Sequence, residues 1–500
     1  MYYMIGVDIG TSGTKAVALG FSGVVLGATY ESYNAISWHP DQNELEPGIL
    51  LSATVKVLRD IKEKCAENEL RGICFSCAMH SVIAVNQKGQ PLTNAITWAD
   101  LRSKIYAAEL KESPEAREIY RHTGTPIHPM SPLCKIIWLK EKKPELFQQA
   151  WKFISIKEYI WNEFFGKYQV DYGIASGTGL FDINRLDWYE LSLIKAGITR
   201  DRLSEPVSSI SAETGLVRAY QNLTGIGPEV QFIIGGSDGC LANLGSHAVK
   251  PGDMALTIGT SGAARMVSDQ SHYDVKERIF NYVLTEKLFV SGGAINNGGI
   301  AVKWYVDNFM AKNGKEKKDF SDFVSETENI APGSEGLIFL PYLLGERAPV
   351  WNADAKGVFF GIYSGHTSQH FLRSVIEGIS FSLYQIGITL EEIVGPVNKI
   401  YASGGFIHSP SWLQMIADIF DKEVCVTNSA DASAIGAAIL GLYSLKEIPD
   451  LKESGRMVQI VQSYFPYEKN HKVYMRNYSV FSVLYEKLKN EFAEISKPDL

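Results

Sequence analysis

Five letters occur twice in this chain, and their repetition constrains the fold more than any other feature. Ile9-Gly10-Thr11-Ser12-Gly13 returns as Ile258-Gly259-Thr260-Ser261-Gly262. Each copy follows an apolar run, residues 4–9 and 254–258, that reads as a buried strand. The small and hydroxylated residues then allow a tight turn that displays N–H groups and hydroxyls. One copy opens each half of 500 residues, which implies a duplicated fold with two phosphate-binding hairpins facing one another across a cleft. Asp8, at the end of the first strand, is placed to hold a hydrated Mg²⁺ beside nucleotide phosphates. Taken alone, the stretch would also serve as an ordinary hairpin. No G-x-x-x-x-G-K-[ST] occurs, so a nucleotide site here is not a Walker A loop.

A chain of this length exceeds one core, so two domains of about half the length each are expected. With no low-complexity linker, they meet directly near residue 248. Composition is globular, 45% apolar and 21% charged. A net charge of −8 without a like-charge block argues against a nucleic-acid partner. The chain enters its first strand almost at once, without a basic leader, and holds no apolar stretch long enough to cross a bilayer. A soluble, cytoplasmic protein without membrane association is therefore expected. Of six cysteines, Cys74 and Cys77 form a C-x-x-C, but inside an apparent strand that would send the thiols to opposite faces. No second pair completes a zinc site, so these read as core thiols.

Along the chain, residues 4–36 read as a meander turning at Ser22-Gly23, with a third alternation from Glu31 onward. Residues 50–65 form an amphipathic helix with Leu50, Thr54, Val57, Leu58 and Ile61 on one stripe. A buried strand at 73–78 precedes a hairpin over 82–98. The stretch 105–198 reads as helical; within it, 145–165 carries Phe147, Trp151, Ile154, Ile160, Trp161 and Phe164 as a core stripe. The apolar strand 230–234 ends in Gly235-Gly236-Ser237-Asp238-Gly239. The second half repeats the plan: hairpin 254–267, strands 280–290, a helix opened by Asn296-Asn297-Gly298-Gly299, and a long buried helix over 371–390. A strand at 400–403 then runs into Gly404-Gly405, followed by a helix capped at Ser409-Pro410 and a small-residue helix over 433–445. Strands interleaved with helices, some strands antiparallel, give a mixed α/β class.

Taken together, Asp8 to Lys15, Ala78-Met79-His80-Ser81, Trp98-Ala99-Asp100-Leu101-Arg102, Gly236-Ser237-Asp238-Gly239, Ile258 to Gly262, Gly345-Glu346-Arg347-Ala348-Pro349, Gly357 to Gly361 and Ser403-Gly404-Gly405 resemble the FGGY family of carbohydrate kinases, nearly end to end. The resemblance implies two RNase H-like domains, of the actin, sugar kinase and Hsp70 chaperone superfamily, around a central cleft. The N-terminal domain, 1–247, would bind sugar and carry the first phosphate hairpin. The C-terminal domain, 248–500, would carry the second and bind adenosine. Segments 78–85, 124–133, 237–245 and 293–299 resemble the gluconate-phosphorylating branch, whereas Trp98-x-Asp100-x-Arg102 and the Met79-His80 pair are shared with xylulose kinases. The implied cofactors are ATP and Mg²⁺ and the implied partner is a small sugar or sugar acid, with a homodimer left open.

Phosphoryl transfer to an alcohol needs an in-line hydroxyl, neutralised phosphate charge and a proton acceptor. Asp238, a carboxylate in a glycine-flanked turn at a strand end, is the expected general base and a substrate contact; the same position would also suit a helix-capping aspartate. Asp8 is assigned to Mg²⁺. Thr11, Ser12 and Gly13, with Thr260 and Ser261, offer donors to the phosphates, and Lys15 of the same motif is grouped with them. The resemblance puts Gly404 and Gly405 beside adenosine and makes Gly299 and Lys303 nucleotide contacts, although Lys303 could equally be a solvated helix residue. For the sugar, His80, Trp98, Asp100 and Arg102 are implied. Asp100 is expected to accept from hydroxyls and Arg102 to clamp a carboxylate. Lys135 and Arg347 are weaker candidates for an acid group or phosphate. An actin-like ATPase would need no such pocket, and a binding-only sensor could dispense with Asp8 or Asp238.

Overall fold

The computed structural model describes residues 1–310, 320–429 and 431–497. Two compact units are present, neither contiguous in sequence. Met1–Lys250, Val267–Ser291 and Asp431–Gln459 make the first; Pro251–Met266 and the described parts of Gly292–Ala430 and Ile460–Leu500 make the second.

In the first unit the strand Tyr2–Ile9 pairs antiparallel with Gly13–Gly20 and parallel with Glu69–Cys77. Val25–Ser32 extends the hairpin side, and Gln231–Ser237 and then Ala212–Glu213 extend the other. The inner strands are continuous apolar runs because both their faces are covered. Val25–Ser32, at the edge, alternates between exposed and half-buried. The helix Pro47–Lys64 packs on the hairpin side through the expected stripe, with Leu50, Thr54, Val57, Leu58 and Ile61 all buried. Helix Ala432–Ser444 packs on Tyr2–Ile9 and on helix Asp238–Gly245. Its small residues make this approach possible. A Cβ on Gly6 would lie 1.8 Å from the Ala434 carbonyl oxygen, and one on Gly436 would lie 1.9 Å from that of Leu241.

The second unit repeats the arrangement. Asp253–Ile258 pairs antiparallel with Gly262–Ser268 and parallel with Lys399–Ser403, which pairs parallel with Glu423–Thr427. Ile460–Tyr464 closes that side antiparallel. The long helix Ser368–Ile393 is buried along most of its length, and Ser409 caps the helix Pro410–Phe420 by accepting from the Trp412 N–H.

Four local expectations differ. The 105–198 stretch is not helical throughout: Gln169–Asp171, Phe181–Asp182 and Asp187–Trp188 are strands. The 145–165 stretch is not one helix: Lys152–Ile154 is a strand paired with Ile83–Val85, between helices Pro144–Gln149 and Ile156–Phe165. Ser155 restarts the helix through a reciprocal capping box with Glu158, a local signal stronger than the apolar spacing. The 82–98 hairpin is present, bridged at Val82–Ile96 and Val85–Pro91 and closed by the Leu92 N–H on Ala84 and the Asn86 N–H on Gln90, but its ladder partners lie elsewhere: Ala95–Ile96 pairs with Glu44–Leu45 and Ile83–Val85 with Lys152–Ile154. The third meander strand is Val25–Ser32, and beyond it the chain is irregular, bridged at Ile36–Glu44. All six cysteines are buried free thiols, and burial pushes Cys74 up to about 12, too high for a reactive thiolate.

Candidate functional site

The first hairpin turns through Gly10-Thr11-Ser12, with the Gly10 N–H donating to the Gly13 carbonyl at 3.0 Å. Tyr33 and Tyr30 hold the turn by donating their hydroxyls to the carbonyls of Gly10 (2.7 Å) and Ser12 (3.1 Å). The Tyr30 ring occupies the space a Cβ on Gly13 would need. Asp8 stands opposite Lys15 across the hairpin and opposite Ser76 on the parallel neighbour. It accepts from the Ser76 hydroxyl at 2.7 Å. Lys15 Nζ donates to Asp431 at 2.5 Å, at the start of the small-residue helix. Burial, and next the Asp238 charge, push the Asp8 carboxyl up to about 6; Ser76 and Lys15 oppose that shift and Asp431 adds to it. Asp8 thus feels the charges of Asp238, Lys15 and Asp431, and Lys15 is paired with Asp431. Asp431 and Ser76 belong to no binding motif in the sequence: their signal is tertiary, apart from the position of Asp431 just before a run of small helical residues.

Asp238 is the first residue of the helix Asp238–Gly245, and Ser237 is its N-cap. The cap is therefore a different residue. One of its oxygens accepts from the Gly239 N–H at 2.7 Å, and its carbonyl accepts from the Ser433 hydroxyl at 3.2 Å.

His80 lies just past the strand Glu69–Cys77 at φ +66, in the left-handed region. Its Nδ1 sits 2.7 Å from the Gly177 carbonyl, which only a protonated Nδ1 can satisfy. The Nε2 lone pair then faces the Tyr282 hydroxyl at 3.4 Å. Both ring nitrogens are therefore engaged within the protein. Lys135 is 1% exposed and donates to the carbonyls of His80 (2.6 Å) and Met130 (2.7 Å), and burial lowers its ammonium to about 7. It braces the strained His80 backbone and is not a surface cation awaiting an acid group.

Asp100 and Arg102 do not stand apart as expected. Asp100 is 1% exposed, and its oxygens accept from the Asn43 and Arg102 N–H groups (2.9 and 3.1 Å) and from Arg102 Nε at 3.0 Å. Its carboxylate is thus engaged in orienting Arg102. Arg102 Nη2 also donates to Glu44 at 2.5 Å, and the guanidinium lies 4.5 Å from the centre of the Trp138 ring. These contacts occupy Nε and Nη2 and hold the planar fork rigid with Nη1 outside them. Trp98 is half-buried in the turn just before.

In the second unit the Gly259 N–H donates to the Ser261 carbonyl at 2.8 Å. The backbone N–H groups of Gly298, Gly299 and Ile300, at the start of helix Gly299–Phe309, donate to carbonyls of Thr260 (3.1 Å), Gly259 (2.7 Å) and Thr260 again (3.2 Å). Thr260 itself is exposed. Gly404, at φ +94, is forced to be glycine, because a Cβ would lie 2.4 Å from the Ile258 carbonyl oxygen. Gly405 is exposed, with open space where a Cβ would be. Lys303 faces solvent and pairs with Asp307 on its own helix at 2.6 Å. Arg347 is buried and donates to the Ile295 carbonyl at 3.1 Å. Glu346, also buried and pushed up to about 7 by that burial, accepts from the N–H groups of Asn296 and Arg347 and so fixes the Asn296-Asn297 turn.

Among the described residues no three His, Cys, Asp or Glu side chains cluster closely enough to cage a metal. One hard carboxylate, Asp8, beside a turn of N–H groups and hydroxyls fits a Mg²⁺ that keeps its water and takes its other ligands from phosphates. No helix of the described residues is long and apolar enough to cross a membrane.

The FGGY family of carbohydrate kinases matches through its N-terminal domain at residues 3–245 and its C-terminal domain at residues 254–445. A gluconokinase of Bacillus subtilis (strain 168) is 41% identical over 502 residues, 99% of this chain and 98% of that protein. Two solved structures from Lactobacillus acidophilus are similar over 99% of this chain and 100% of theirs, each at 33% identity. One is a ligand-bound xylulose kinase, with a TM-score of 0.94, and the other a gluconate kinase, with 0.93.

Proposed function

Because this chain belongs to the FGGY family of carbohydrate kinases and has its two-domain α/β fold, we propose that it moves the γ-phosphoryl group of ATP to the 6-hydroxyl of D-gluconate. The observation that carries this reading is the grouping of Asp8, Lys15, Asp238 and Asp431 at the first hairpin. Asp238 accepts the hydroxyl proton as the oxygen attacks phosphorus. Thr11, Ser12, the Gly13 backbone and Lys15 hold phosphate oxygens, while Thr260, Gly299, Gly404 and Gly405 belong to the nucleotide contacts. Asp8 would hold Mg²⁺. Bound Mg²⁺ neutralises charge on the phosphates. Arg102, made rigid by Asp100, Glu44 and Trp138, offers its remaining N–H groups to the gluconate carboxylate.

The choice of gluconate follows the 41% identity to a gluconokinase. A second reading, xylulose as acceptor, is favoured by the equally similar xylulose kinase structure, but xylulose has no carboxylate for Arg102. On the same reading the enzyme is cytoplasmic.

The test is product identity together with one variant. Wild-type protein with ATP, Mg²⁺ and gluconate should give a phosphate ester at carbon 6, seen by phosphorus NMR. Asp238→Asn should lower kcat by about 10²–10⁴-fold with substrate binding retained. Near-normal turnover in that variant would remove Asp238 from the mechanism.

A further inference from the structure

Just before Asp238, the strand Gln231–Ser237 carries one residue too many. Its parallel pairing with Glu69–Cys77 sets Ile233 against Cys74 and then Gly236 against Ser76. Gly235 sits in this bulge at φ +76, where a Cβ would lie 1.8 Å from the Phe75 carbonyl oxygen. Bulges beside active sites re-aim the residues that follow them. Lys157, 2% exposed on the helix Ile156–Phe165, reaches this one from the side. Its Nζ donates to the carbonyls of Ile234 (3.1 Å) and Gly236 (2.7 Å) and to Asp171 Oδ2 (2.7 Å). Three protons thus meet three acceptors. The other Asp171 oxygen accepts from the Ile174 N–H at 2.9 Å and caps the helix Tyr172–Ser176. Gly173 of that helix lies so near that its Cβ would come within 3.1 Å of the Ser237 nitrogen.

A buried ion pair is weak evidence for stability, since well-packed apolar residues often serve as well. Here its effect is directional. The carbonyls on either side of Gly235 are tied to one point, which sets the shape of the bulge two residues ahead of the carboxylate.

We propose that Lys157, anchored by Asp171, is a positioning residue for phosphoryl transfer, holding the 234–236 bulge in the shape that presents Asp238 to the substrate hydroxyl. This rests on Asp238 being the base. Lys157→Met combined with Asp171→Asn removes the cation without stranding a buried carboxylate and keeps an oxygen for the Ile174 cap. In the full-length enzyme with ATP, Mg²⁺ and gluconate, kcat should fall about 10–100-fold with both KM values within about threefold, the scale of a slightly misplaced group. Adding the same pair to Asp238→Asn should cost no further kcat, because no base remains to be misplaced.

Wild-type kcat in the folded pair variant, or a full further loss on top of Asp238→Asn, would overturn the proposal. If the pair variant fails to fold, Asp171→Asn alone decides. There Nζ keeps both carbonyls but loses its ionic anchor, so kcat should fall about 3–10-fold at unchanged KM; unchanged kcat would overturn the positioning role. If Asp238→Asn turns over normally, the base assignment and this proposal fall together. If Asp238→Asn is inactive and the Lys157 variant normal, only the positioning role falls.

Discussion

At the first Ile-Gly-Thr-Ser-Gly turn the strand residue beside the parallel neighbour is Asp8; at the second it is Thr257. Each meets a serine in the same register, Ser76 at 2.7 Å and Ser403 at 2.9 Å. Across the hairpin, Asp8 faces Lys15, whereas Thr257 faces Ala263. Even the turns differ by one residue. Ile9 pairs with Thr14, but Ile258 pairs with Gly262. Tyrosine hydroxyls tie down the first turn, and the backbone N–H groups of 298–300 tie down the second. Five identical letters therefore specify a tight turn between strands, while its register and charge come from residues far away in sequence. The first copy sets a carboxylate against a lysine, and the second is neutral at both positions.

Making the first copy like the second should have the largest effect. Asp8→Thr should lower kcat by about 10²–10³-fold, as expected for a lost electrostatic group. It should not lower stability. The Asp8 carboxyl titrates near 6 in the folded protein and lower when unfolded, so its ionisation penalises the native state fully above about pH 6. That penalty is relieved as pH falls toward 4. The variant's melting temperature should exceed wild type at pH 7, and the margin should shrink by pH 5. A variant less stable than wild type at pH 7 would show that Asp8 is structural.

Gly404→Ala should come next, and should act on the fold. A methyl group there meets the Ile258 carbonyl and sits at φ +94, so a loss of about 1–3 kcal/mol is expected in urea denaturation, together with a raised KM for ATP. Wild-type stability would mean that the strand end yields freely. The smallest effect belongs to Thr257→Val, which removes the hydroxyl pair with Ser403. A cost of about 1 kcal/mol is expected, with kcat within twofold of wild type. A large fall in kcat would place chemistry in the second hairpin as well.

The sheet architecture was legible because buried central strands and glycine-rich turns leave local marks, as did the stripe from Leu50 to Ile61. The small-residue helix was legible for the same reason, since its approach to Gly6 permits little else. The partners of charged groups were not. Arg102 looked available two residues beyond Asp100, but a buried carboxylate must be satisfied, and the nearest donor is that same arginine. Lys135 looked like a candidate for anions and instead satisfies two backbone carbonyls. Lys157 sits in an aromatic-rich stretch that reads as core, and Asp431 lies far along the chain from Lys15. Each is defined mainly by what the fold places beside it. The return of residues 431–459 to the first unit likewise has no compositional signal.

The central claim is a kinase whose acceptor is an open-chain sugar acid, and ADP release measures it directly. Purified protein with ATP and Mg²⁺ should release ADP slowly alone, rapidly with D-gluconate, and with a kcat/KM for D-xylulose lower by one to two decades, about the worth of one charge-assisted carboxylate contact. A higher kcat/KM for xylulose than for gluconate, or ADP release that no sugar accelerates, would contradict it.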